Sequence, residues 1–442
     1  MSSAHTSADP AVEAPSPEHG LRDFSAAPST EGPVSGERLL ADLQDLAGFV
    51  APDLPGWSRQ AFTEFDVAGR HRAKAFMESA GLTTRIDGAG NVIGVLPGDG
   101  TAGGRQIMLG SHTDTVEGGG RFDGIVGVLG AIEVVRALRE SGTRLHHDLV
   151  VVVFFNEEVN RFGMICTGSH AFAGVLTPEA FDLRDEHGMR MGDALAPQAG
   201  IDPEAMLAAR YDLSKVTAFL ELHIEQGPNL ENSGVQLGVV ETITGISRFT
   251  ALFEGRQDHA GTTPMDVRAD ACTAAAGTIL AVERIAGERP TSRGTCGMLT
   301  FTPTAVNVVT ETARVQGEFR SDSGTWLREA EEALTAAAGT EASTRGVTLD
   351  IDWLETSDPQ PMAGSVMDTI TAVADDRGIS RARMFSGAGH DSQILAPFVD
   401  TGMIFVPSVD GRSHCPEEFT DTTDIVRGVE VLLETVLRID AA

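Results

Sequence analysis

The run LVVVVFF at residues 149–155 constrains the fold more than any other stretch of this chain. Seven apolar, mostly β-branched residues without polar alternation suit a strand covered on both faces, the interior position of a parallel sheet. The run stops abruptly at Asn156, Glu157 and Glu158. Adjacent carboxylates at the tip of an apolar strand are costly unless a cation meets them. In open parallel sheets the chemistry gathers at the carboxyl ends of the strands, where these residues lie. The flanking sequence agrees. Residues 107–110 read as a short apolar strand ending in a polar cluster, and residues 124–138 have helical periodicity, so the order is β-α-β.

The length of 442 residues allows two or three domains. Residues 1–35, rich in Ala, Ser, Pro and Glu, read as a disordered tail. Order is expected from Gly36, after which Leu39, Leu40, Leu43 and Leu46 recur at helical spacing. From about Val239 the pattern changes to strand (242–253), helix (265–284), strand (295–301), strand (312–319), helix (325–338) and strand (347–354). That β-α-β-β-α-β order fits a small antiparallel α+β domain. The expected architecture is an α/β catalytic domain with a mostly parallel sheet, residues 36–238 and 357–442, into which a lid and dimerisation domain, residues 239–356, is inserted.

Composition excludes some partners. Lys plus Arg number 33 against 64 Asp plus Glu, a formal charge of -31. Such a surface repels phosphate backbones and anionic lipid, so neither nucleic acid nor a membrane is expected as partner. The longest apolar run is far too short to span a bilayer. No basic n-region with an apolar h-region opens the sequence. Cys166, Cys272, Cys296 and Cys415 are scattered, without a C-x-x-C pair, which fits reduced thiols and a cytoplasmic protein.

Three further clusters join the Glu157–Glu158 pair. His112 and Asp114 follow the strand ending at Gly110, with Asp114 placed to accept the second imidazole N–H. Asp123 precedes a helix and suits an N-cap, a metal ligand, or both. Alternation puts His223 and Glu225 on one face of a strand, and His414 lies in a loop after the apolar run 403–406. Each cluster alone reads more simply as structural: a hydrogen-bonded loop, a helix-start charge pair, a core histidine. Together they supply the donor set of a binuclear site for zinc or a similar divalent ion. Bridging carboxylates hold such ions roughly 3.5–4 Å apart. Neither an H-E-x-x-H helix nor a G-x-S-x-G elbow is present.

The strings GSHTDTV (110–116), GGRFDGIVGV (119–128), FFNEE (154–158), HIEQGP (223–228), HAGTTPM (259–265), SGAGHD (386–391) and SHCPEE (413–418) occur in that order. On them the chain resembles the carbamoylase branch of the metal-dependent aminoacylase and carboxypeptidase-G superfamily, over about residues 36–440. That branch comprises N-carbamoyl-L-amino-acid hydrolases, β-ureidopropionases and allantoate amidohydrolases. The resemblance implies two divalent ions, zinc or alternatively manganese, cobalt or nickel. His112, Asp123 and His223 match the ligands of one; Asp123, Glu158 and His414 match those of the other. Glu157 matches the general base, with Asp114 supporting His112. His259 matches a lid histidine that stabilises the oxyanion. Asn307 and Arg320 match contacts to a substrate carboxylate, and Gln226, Gly389 and His390 match further substrate contacts. A homodimer is the family expectation. Two positions depart from the family pattern: Val159 follows the glutamate pair where glycine is usual, and Cys415 stands where Ser or Asn is commoner.

The implied activity is hydrolysis of the carbamoyl group of a small, carboxylate-bearing N-carbamoyl-L-amino acid to amino acid, carbon dioxide and ammonia. Alternatives are an allantoate amidohydrolase, a β-ureidopropionase, a related peptidase or deacylase, or a non-catalytic binding protein. The last predicts erosion of the ligands or base, and all of these positions are filled.

Overall fold

The computed structural model describes residues 32–442. The tail expectation for residues 1–35 therefore falls largely outside the described residues.

In chain order the strands are β1 (Thr83–Ile86), β2 (Val92–Leu96), β3 (Gln106–His112), β4 (Asp148–Phe154), β5 (Val216–Ile224), β6 (Leu237–Ile243), β7 (Gly245–Glu254), β8 (Arg293–Thr302), β9 (Thr312–Ser321), β10 (Thr348–Ser357), β11 (Gln360–Pro361), β12 (Arg381–Ser386) and β13 (Thr401–Val406). The chain divides into two compact units. The first runs to Glu241 and includes Met362–Met384 and His390–Ala442; the second is Thr242–Pro361 with Phe385–Gly389.

The large sheet has the order β1-β2-β4-β3-β5-β13-β6-β11, with β12 also paired to β6. Its centre, β4-β3-β5-β13, is parallel throughout, while β1, β2 and β6 pair antiparallel. The mixed, mostly parallel α/β class read from sequence is what the structure has. Strand β4 shows why its sequence carries no alternation. Leu149, Val151 and Val153 enter the core beneath the helices Ile125–Glu140 and Thr422–Asp440, whereas Val150, Val152 and Phe154 join Phe172, Phe219 and Leu395 on the opposite face. Removing such a side chain from water contributes roughly 1.5–3 kcal/mol.

The second unit contains a four-stranded antiparallel sheet, order β10-β7-β9-β8, with the helices Ala271–Gly287 and Gly324–Arg345 on one face. Phe249, Phe253, Val315 and Phe319 alternate toward those helices. The helix read at 265–284 begins at Ala271: Pro264 and a short turn at Met265–Val267 precede it, and Asp270 caps it by accepting from the Thr273 N–H. The strand read at 242–253 is two strands, β6 and β7, which belong to different sheets. Among the described residues no helix is long and apolar enough to cross a membrane.

Candidate metal centre

The four parallel strands converge on one edge of the large sheet. His112 is the last residue of β3 and sits beside Phe154 of β4; His223, near the end of β5, sits beside Phe405 of β13. The segments after β4 and β13 carry Glu157, Glu158 and His414. Asp123 lies just ahead of the helix Ile125–Glu140 but does not cap it. The N-cap is Gly124 at φ +67°, where any side chain would overlap the His112 ring.

Two ligand groups form with one residue in common. His112, Asp123 and His223 each offer a ligand atom within 4.8 Å of the others, and so do Asp123, Glu158 and His414. Asp123 divides its oxygens between them. Its Oδ1 lies 3.2 Å from His223 Nε2 and 3.6 Å from His112 Nε2, and its Oδ2 lies 3.5 Å from His414 Nε2. His414 Nε2 is 3.2 Å from Glu158 Oε1. All are buried except His414, whose side chain is 45% exposed.

This donor set fits divalent ions. His112 Nε2 is buried, faces Asp123 and Glu157, and has no hydrogen-bond partner among the described residues. Its Nδ1 lies 3.0 Å from the Asp114 carbonyl, which leaves Nε2 as the coordinating atom. Burial opposes charge on His112, yet the carboxylates of Glu157, Asp114 and Asp123 hold its pKa well above the usual imidazole range. Bonds to Asp123 and Glu158 push His414 up to about 11. A site that draws protons onto its imidazoles this strongly is short of positive charge, and dications supply it.

The backbone is bent to aim these groups. Six non-glycine residues have positive φ among the described residues, and four belong to this edge: Asn156 (+53°), Cys166 (+51°), Gln226 (+58°) and His414 (+55°). Such conformations cost about 1–3 kcal/mol each and persist only where surrounding bonds enforce them. Asn156 shows the enforcement, its amide donating to the Glu158 carbonyl at 2.6 Å and its Oδ1 accepting from Asn160 and Thr167.

Three sequence expectations change. The Asp114 carboxylate is not the main partner of His112, at 3.6 Å from Nδ1; it accepts the backbone N–H groups of Glu157 (3.2 Å) and Glu158 (3.1 Å) and so fixes the glutamate pair. Glu225 lies past the end of β5 and accepts from Asn229 and Leu230, so it anchors a short helix and does not share the His223 face. Gln226, expected at the substrate, donates its amide to Asp123 Oδ2 at 2.6 Å.

His390 packs edge-on to His223, with ring centroids 4.5 Å apart, and with Glu221 the two form a third group of ligand-type atoms. Glu221 is already committed to Ser111 and Ser392. The second unit holds the other expected contacts. His259 is exposed, and its Nδ1 accepts from the N–H groups of Gly261 and Thr262; the ring proton therefore sits on Nε2. His259 and Asn307 are neighbours, with the Ala260 N–H donating to the Asn307 carbonyl. Arg320 is half-buried, with Nε on Glu318 (2.6 Å) and Nη1 on the carbonyl of Gly387, two residues before Gly389.

Sequence reasoning missed residues that support the centre from behind. Arg59 is fully buried and donates to the carbonyl of Thr113, between His112 and Asp114, and to those of Leu46 and Phe49. Burial lowers its pKa to about 10. Glu418 accepts the N–H of Asp123 itself. The second glutamate of SHCPEE was the available signal for Glu418; nothing local marks Arg59.

The profile of the family described as "Peptidase family M20/M25/M40" matches residues 108–438, a span that contains every residue of both ligand groups. This chain belongs to that family. The M20-family chain is 36% identical over 409 residues to an N-carbamoyl-L-amino-acid amidohydrolase of Paenarthrobacter aurescens, covering 92% of this chain and 98% of the relative. It is 34% identical over 413 residues to a ureidoglycolate hydrolase of Oryza sativa subsp. japonica, covering 92% and 85%. A crystal structure of a hydantoinase/carbamoylase family amidase from Burkholderia multivorans superposes with a TM-score of 0.84 at 32% identity, covering 92% of this chain and 98% of that one.

Proposed function

We propose that this amidohydrolase binds two divalent ions and removes the carbamoyl group of N-carbamoyl-L-amino acids, giving amino acid, carbon dioxide and ammonia. The observation that carries the proposal is the shared Asp123, with one oxygen toward His112 and His223 and the other toward His414 beside Glu158. Imidazole and carboxylate donors suit zinc, and manganese, cobalt or nickel accept the same set. Bound there, the ions supply Lewis-acid polarisation of the ureido carbonyl and acidify water.

The protein's own groups carry the rest. Glu157 belongs to neither ligand group and lies 3.6 Å from His112 Nε2, with its N–H held by Asp114. It takes a proton as water adds to the carbonyl carbon, and returns it to the amino nitrogen as the C–N bond breaks. The carbamic acid released falls apart to carbon dioxide and ammonia. His259 presents Nε2–H as donor to the developing oxyanion. Arg320, with Asn307, offers a planar fork for the substrate carboxylate, while Gln226, Gly389 and His390 line the substrate.

We place the enzyme in the cytoplasm, where its four unpaired cysteines stay reduced. We assign it a homodimer built through the second unit. The edge strand β8 supports this: it is exposed along almost its whole length and carries Met298, Leu299 and Phe301 open to solvent. A ten-residue unprotected edge invites pairing with another chain.

The test is ammonia release from N-carbamoyl-L-amino acids, N-carbamoyl-β-alanine, allantoate and ureidoglycolate, before and after chelation and with each metal restored. Chelator-sensitive turnover of N-carbamoyl-L-amino acids is expected. Turnover confined to allantoate or ureidoglycolate would move the substrate assignment, and turnover untouched by chelation would remove the metals.

A further inference from the structure

We propose that Glu418 is a positioning residue that locks the Asp123 loop to the His414 loop and thereby sets the affinity for metal. The inference rests on the two-ion reading above but concerns a residue that contributes no ligand. The Glu418 side chain is 2% exposed. Its Oε1 accepts the N–H groups of Phe122 (2.9 Å) and Asp123 (3.1 Å). On its other side the Ser413 hydroxyl is 2.7 Å from Oε2 and 2.8 Å from Asp123 Oδ2. One carboxylate thus clamps segments nearly 300 positions apart in sequence, with separations of 296 for Phe122 and 295 for Asp123.

The opposite loop is shaped to admit it. Gly120 has an ordinary backbone conformation, so its lack of a side chain is not a matter of φ. A Cβ there would overlap the Glu418 carboxyl and its Cβ. The Gly119-Gly120 pair of the GGRFDG string is explained at its second position as room for Glu418. Asp123 serves both ligand groups, so a loosened Asp123 loop weakens both at once. Groups that orient a metal's ligands from behind typically account for about 10–100-fold in metal affinity or activity.

The experiment is a titration of the full-length apo-protein with zinc against a chromophoric chelator, with metal content read by elemental analysis. Thermal midpoints of the metal-free forms are measured in parallel. Glu418→Ala and Gly120→Ala are each expected to weaken zinc binding about 10–100-fold. Ser413→Ala, which keeps the clamp on the backbone and removes only the link to Asp123 Oδ2, is expected to fall between them and wild type. Glu418→Gln retains an oxygen for the two N–H groups and an amide that donates to Ser413, and is expected to restore affinity to within a few-fold.

Unaltered zinc affinity in Glu418→Ala, with only a lowered midpoint of the metal-free form, overturns the proposal and leaves Glu418 a packing residue. If Glu418→Ala does not fold, Ser413→Ala and Gly120→Ala decide, and wild-type affinity in both overturns it. A wild-type protein that takes up no zinc removes the two-ion reading itself, which is a different result from tight binding by every variant.

Discussion

Glu157 and Glu158 are neighbours in sequence with different surroundings. Glu158 faces His414 at 3.2 Å, within a ligand group. Glu157 faces His112, and burial pushes its carboxyl well above the usual carboxylate range, with His112 pulling the other way. A base held close to its proton donors but outside the ligand groups can be replaced without dismantling the centre. Glu157→Gln is therefore expected to retain wild-type metal content and lose about 10²–10⁴-fold in kcat; turnover at the wild-type rate would reject its role. At this scale the sequence was legible where a residue type and its place at a strand end coincide, as for His112, Glu158 and His223. It was not legible where the partner is a backbone group. Asp114 was read as the support of His112 because it lies two positions away, yet its oxygens reach N–H groups more than forty positions distant. Arg59 and Glu418 act the same way, on carbonyls or amides that no side-chain pattern announces.

Among the elements, the helix Ile125–Glu140 matters most to the site, because its first turn is pressed onto the strand ends that bear the histidines. Gly127 makes this approach possible: a Cβ there would overlap the Leu222 carbonyl and lie 2.7 Å from Ser111 Cβ. Gly127→Ala is expected to cost about 1–3 kcal/mol, read as a lowered denaturation midpoint, and to reduce metal uptake. Unchanged stability and uptake would mean the close seating is dispensable. The central strand was readable because its two-sided burial leaves seven apolar residues in a row. Element limits were less so. Residues 265–270 carry apolar side chains at helical spacing, but the capping Asp270 starts the helix later. The residues around Thr244 look like uninterrupted strand, although the chain changes sheet there.

For the whole molecule, the exposed β8 edge is the feature with the clearest consequence in solution. Met298→Lys with Phe301→Lys adds charge to a strand that is solvent-exposed in the single chain. Lysines on an edge oppose strand pairing without disturbing the strand's own sheet. Light scattering is expected to give a dimer for wild type and a monomer for the double variant, with a shared thermal midpoint; a monomeric wild type would remove the dimer.

The two ligand groups draw on segments from His112 to His414, and the Glu418 clamp lies later still. During synthesis the ribosome releases His112, Asp123, Glu157 and His223 long before the loop that completes the second group. Until that loop docks, a cluster of buried acids has neither its full ligand set nor its lock. Ion capture is thus a late event, dependent on contacts of long sequence separation that form slowly. Metal content becomes a readout of completed folding, and a nascent chain stalled before residue 413 can hold at most a partial centre.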